Sequence, residues 1–170
     1  MAKSFLNYPG YPLGLRNNNP GNIRPGDNWQ GMIGTNGGFV VFENIAWGLR
    51  AMGKAIIHEL NVGNNTITKL IYEYAPPSDG NNTQAYIANV VNDTGFSANQ
   101  ILQPARNTLK RLIRAMMNVE LGYNYSALIT DSDIYEGLSL IQSGIIAPEF
   151  RFEGILIAGT VLAVALSNTK

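Results

Sequence analysis

The sequence predicts an α+β fold that is mostly helical, with one small β-hairpin. Three observations predict it. Apolar residues recur at helical spacing along most of the chain from Ile45 onward. Two short apolar runs flank an Asn-Gly turn near residue 36, and an Asn-, Gly- and Pro-rich stretch precedes them. At 170 residues one domain is the default, with room for a core of useful size.

Residues 1–13 read as an irregular N-terminal arm, with Pro9-Gly10 and Pro12 short of any periodic element. Gly14 to Arg24 is a loop, because Asn, Gly and Pro favour turns and left-handed backbone. Trp29–Ile33 and Phe39–Phe42 form the hairpin around Thr35-Asn36-Gly37-Gly38. Ile45, Leu49, Met52, Ile56 and Leu60 mark a long amphipathic helix that ends near Asn61 and Gly63. Thr66 opens a shorter helix, which Pro76-Pro77 stops. Asn82 or Thr83 caps a third, bearing Tyr86, Ile87, Val90 and Val91. From Pro104 a helix carries Leu109, Leu112, Ile113 and Met116 to Glu120, with Gly122 placed to end it. Asp131–Ser143 is the last amphipathic helix of a domain taken as 14–144.

The extension 145–170 differs in kind, because Gly154–Ser167 carries no charge. As a helix it would span roughly 21 Å, short of the ~30 Å hydrocarbon core. A short membrane anchor, a buried core element and a segment docked on a partner protein all fit such a run.

Composition excludes several functions. Formal charge is balanced and charged residues make up only 14%, so an electrostatic nucleic-acid binder is not expected. Zero cysteines remove disulfides, thiolate metal sites and cysteine nucleophiles. One histidine, His58, argues against a His-rich metal site or a Ser-His-Asp triad, and no metal or cofactor is expected. Asn7, Tyr8, Pro9 and Gly10 cut Phe5-Leu6 short, so no signal peptide is expected.

Glu120 is the leading candidate for chemistry. It continues the apolar stripe by one helical step, so it should lie where that face runs out and where burial raises a carboxyl pKa. A general acid needs that condition, although a Glu paired with Arg114 or solvated at a helix end would have the same sequence. Glu43 is the rival, with a structural reason of its own at a helix start. Asp79, in the second Asn-rich turn, is a third candidate and could orient a water or a hydroxyl. An amide-rich backbone beside aromatics suits a sugar, through hydrogen bonds to hydroxyls and stacking on the ring face. Asn18, Asn22, Arg24, Trp29, Tyr74 and Asn82 are therefore the candidate substrate contacts, against the reading of an ordinary surface loop and core aromatics.

These residues resemble a family of small phage proteins with a lysozyme-like domain, described as virion structural proteins or peptidoglycan hydrolases. The resemblance covers about residues 14–143. It rests on Gly14 to Arg24 with Trp29-x-Gly31, on Phe39-Val-Val-Phe42 followed by Gly48-Leu49-Arg50-Ala51, on Tyr74-Ala75-Pro76-Pro77 running into Asn81-Asn82-Thr83-x-x-Tyr86-Ile87, and on Glu120-Leu121-Gly122. It implies a virion-associated glycosidase, of muramidase or lytic transglycosylase type, acting on peptidoglycan glycan strands in phage entry or lysis. The alternative it implies is a non-catalytic virion structural protein that keeps the scaffold for capsid or membrane attachment. Either would be made in the host cytoplasm and carried in the particle, with 145–170 reaching other virion proteins or a viral membrane.

In goose-type lysozymes and bacterial glucosaminidases an acid-bearing helix precedes an Asn-rich segment like Asn18–Arg24. Here Glu120 follows it, and a circular permutation would reconcile the two only if Glu120 lay near that loop in space. Two places depart from the family pattern. Gly80 stands where relatives carry a Glu before Asn-x-Thr, and Val119 where a His often precedes the helical Glu.

Overall fold

A computed structural model describes residues 3–145. The predicted tail at 154–167, and all but the first residue of the 145–170 extension, lie outside the described residues. Mostly helical with one two-stranded antiparallel hairpin, the structure has the α+β character that the patterning predicts.

The N-terminal residues are irregular yet docked. Phe5 joins the main core, the Lys3 carbonyl accepts from Ile45 N at 2.9 Å, and Lys3 Nζ reaches Asp133 at 2.5 Å. A four-residue helix α1, Leu13–Arg16, then interrupts what the composition predicts as arm and loop. Pro12 sets the entry torsion, and its carbonyl and that of Leu13 accept from Arg16 N and Asn17 N.

The hairpin pairs β1 (Met32–Asn36) with β2 (Phe39–Phe42). Gly37 and Gly38 turn the chain with φ of +60° and +82°, the doubly positive torsions of a two-residue hairpin turn. The first strand starts later than predicted, because the Trp29 carbonyl accepts from Met32 N and closes a turn there. Val40 and Phe42 point inward, while β1 lies exposed.

Helix α2 (Ile45–Asn61) is the centre of the body. Asn44 caps it, its side chain accepting from Ala46 N and Trp47 N. One side joins the main core through Leu49, Met52 and Ile56. Ala51 joins a smaller cluster with Ile23, Val40 and Phe42, which seats the hairpin and loop on the helix. Against it pack α3 (Ile67–Tyr74, capped by Thr66) and α5 (Arg106–Leu121), and α4 (Thr83–Thr94, capped by Asn82) packs on α3 and α5. A single 3₁₀ turn at Pro77–Asp79 connects α3 to α4.

Helix α5 starts two residues after the predicted Pro104 and ends at Gly122, whose φ is +78°. A short helix α6, Tyr123–Ser126, was not evident from periodicity, because four residues are barely one turn. Helix α7, Asp131–Ser139, opens on a Thr130–Asp133 capping box and stops four residues before the predicted end. Ile141 stays in the core beyond it, which is why the apolar pattern outruns the helix.

Candidate active site

The Asn-rich loop is held together by its own amides. Asn19 Nδ2 donates to the carbonyls of Ile23 and Val40, both at 2.9 Å, and its Oδ1 accepts from Ile23 N at 2.8 Å. Asn17 exchanges side-chain bonds with Asn36 in the hairpin turn. Asn18 is fully buried, accepts from Phe5 N at 2.8 Å and donates toward Ser4 Oγ, Phe42 O and Glu43 O. Its side chain therefore faces protein groups in the interior and not the cleft, unlike the substrate contact expected of it.

Asn22 does what Asn18 does not. Its left-handed backbone (φ +49°), a conformation Asn tolerates, turns the side chain outward. There its Nδ2 donates to Glu120 Oε2 at 2.7 Å. Gly14 makes the room: a Cβ at residue 14 would lie 2.7 Å from Asn22 Oδ1 and 3.0 Å from the Asn19 carbonyl. Tyr86, on α4, donates its hydroxyl to the other carboxyl oxygen, Oε1, at 2.8 Å. Tyr74, on α3, donates to the Gly21 carbonyl and ties the loop to the helices.

Glu120 is thus gripped from two sides at the last turn of α5, in a cleft of about 360 Å³. Burial pushes its carboxyl above the usual range, and the bonds from Tyr86 and Asn22 offset this in part. Burial and the neighbouring Glu120 charge raise the Tyr74 and Tyr86 phenols well above their ordinary value, so both stay hydrogen-bond donors. The walls include Phe39 of β2, Tyr74 and Asn81. At the rim Arg24 lies over the Phe39 ring at 5.9 Å and faces Asp79 at 3.8 Å, both charges largely exposed.

The predicted residues therefore separate. Glu120, Asn22, Arg24, Tyr74 and Asp79 line one cleft. Glu43 does not: it is exposed just before α2, and its carbonyl accepts from Asn18. Asn82 caps α4, its side chain accepting from Ala85 N, and leaves the cleft to its neighbour Asn81. Trp29 packs against the smaller hydrophobic cluster and faces a different groove, away from Glu120. Glu120 is not paired with Arg114, which binds Asp131 and the Ser126 carbonyl instead. Tyr86 is the partner that sequence reasoning missed as such, since its place on an apolar stripe hides the use of its hydroxyl. Among the described residues no group of acidic and histidine side chains is arranged to hold a metal.

No protein-family model matches the chain. Over 118 residues it is 34% identical to Protein P5 of Pseudoalteromonas phage PM2, covering 65% of this chain and 72% of that protein. The chain belongs to the family of this phage protein. That relationship bears out the phage character implied by the resemblance. Among the described residues no helix is long and apolar enough to cross a membrane.

Proposed function

We propose that the cleft cuts the glycan strand of peptidoglycan, with Glu120 as general acid. The observation that carries this is a carboxyl kept above its usual range by burial while two neutral donors, Asn22 and Tyr86, face its oxygens. A carboxyl so placed holds its proton closer to neutrality. Delivered to the bridging oxygen, that proton lets the sugar C1–O bond break with the bonding electrons leaving on oxygen. Asn22 and Tyr86 then serve the carboxylate that is left, since hydrogen bonds to the charged form favour it. Water attacking C1 gives a hydrolysed end and returns a proton to Glu120. The sugar's own 6-hydroxyl attacking instead gives an anhydro end.

Asp79 is the other carboxylate on this cleft, and it is an exposed rim residue facing Arg24. The substrate's N-acetyl group is therefore the better helper at C1, held by Asn81 and the loop backbone. The same feature favours a second reading: a virion component that retains the scaffold and binds glycan without turnover. In either case the protein travels in the phage particle, with 145–170 as its attachment to other virion proteins or a viral membrane.

Purified protein incubated with isolated peptidoglycan, its soluble products resolved by mass spectrometry, tests the proposal. Fragments severed between sugars are expected, and their reducing or anhydro ends name the reaction type. Intact strands with bound protein would leave the scaffold reading in its place.

A further inference from the structure

A second groove, of about 700 Å³, is lined by Asp27–Gln30, a few residues beyond the stretch that carries Asn22. Its floor is α2, where Arg50, Lys54 and His58 follow one another at intervals of four and so stack along one face. Trp29 and Gln30 from the loop form one wall, and the chain at Ser143 and Gly144 forms the other.

Three features make this groove more than a surface dip. Arg50 is held in place: its Nε donates to the Leu140 carbonyl at 3.2 Å and its guanidinium lies 5.8 Å from the Trp47 ring centroid. Among the described residues neither Arg50 nor Lys54 makes an ion pair. Trp29 also leaves its buried indole N–H without an acceptor among these residues. Two negative groups complete the lining. They are Asp27 and Glu59, the latter accepting from Asn64 Nδ2 at 2.6 Å. Among the described residues the groove thus offers one fixed and one free cationic side chain, an aromatic ring and two acids in its lining.

We infer that this groove binds the carboxylate-bearing peptide stem of the substrate. Carboxylates would meet Arg50 and Lys54, peptide carbonyls the Gln30 amide, and a free amine of the same stem Asp27. The inference rests on the peptidoglycan reading, because there a glycan strand carries short acidic peptides beside the bond to be cut. A strand in the Glu120 cleft that crosses the loop from Arg24 to Asp27 would bring such a stem to the groove, both sides being lined by one continuous segment.

Calorimetric titration of the full chain with a synthetic tetrapeptide carrying glutamate, diaminopimelate and D-alanine carboxylates tests it. Saturable binding is expected, weakened about fivefold in Lys54→Met, weakened further in Lys54→Glu, and reduced by added salt. Lys54 makes no ion pair among the described residues, so both variants should fold. No binding by the wild type, or equal binding by all three proteins, would overturn the groove as a peptide site. Peptide binding by a protein that leaves glycan strands uncut would keep the groove and overturn the glycosidase reading.

Discussion

The Asn22 side-chain amide donates to Glu120 Oε2 at 2.7 Å across 98 positions of sequence. This single bond joins the Asn-rich loop to the end of α5.

Gly14 is the hidden support of that bond. A methyl group there would meet Asn22 Oδ1 at 2.7 Å and the Asn19 carbonyl at 3.0 Å. Gly14→Ala should cost about 1–3 kcal/mol by overpacking and turn the Asn22 amide away from Glu120. Chemical denaturation gives the stability, and a crystal structure of the variant should show the Asn22–Glu120 separation lengthened.

Removing a donor from Glu120 has a definite sign. Asn22 and Tyr86 both favour the carboxylate, so Tyr86→Phe or Asn22→Leu should move the Glu120 pKa further up. An acid must be protonated to act, hence the alkaline limb of the pH–rate profile should shift to higher pH in both variants. A shift to lower pH would mean that these groups hold the neutral form instead. Tyr86→Phe should also lose about 1 kcal/mol of stability with its hydrogen bond.

The same carboxyl links stability to pH. With its folded value above the unfolded one, the native state keeps a proton that the unfolded chain releases. The stability it contributes is complete below the ordinary carboxyl value and is lost as pH rises through the folded value. Glu120→Gln should therefore be more stable than the wild type at neutral pH, the difference vanishing in acid. Thermal melts of both proteins from pH 3 to 8 measure it.

Asn18 tests how far residue type misleads. Its side chain is fully buried and satisfies Phe5 N and Phe42 O, so Asn18→Ala should cost about 2–4 kcal/mol by stranding buried polar groups. Urea unfolding checks this. Loss of affinity for glycan without loss of stability would instead support the ligand role expected from the sequence.

Asn18 and Asn22 also show what was legible beforehand. Composition marks the whole loop as unusual, and helical spacing puts Glu120 where the apolar face of α5 runs out. Periodicity likewise places α2, α3, α4 and most of α5 within a few residues, because their apolar stripes face one continuous core. Which amide points inward is decided by tertiary packing: Asn18 meets Phe5 and Phe42, Asn22 meets only the cleft. No local pattern encodes that choice. Tyr86 was similarly concealed, since an aromatic on an apolar stripe satisfies the periodicity whether or not its hydroxyl has work to do. Asn82 looked like either a cap or a ligand, and the start of α4 makes it a cap. Glu43 and Trp29 lie near the loop in sequence but not in its cleft: Glu43 is exposed just before α2, and Trp29 packs on the smaller hydrophobic cluster.

The most direct test of Glu120 as general acid is cleavage of purified peptidoglycan by the wild type beside Glu120→Gln, with folding of both verified by circular dichroism. Glycan fragments from the wild type and at least a hundredfold less from the variant are the predicted result. Undiminished cleavage by folded Glu120→Gln would contradict the assignment and direct attention to Asp79 at the rim of the same cleft.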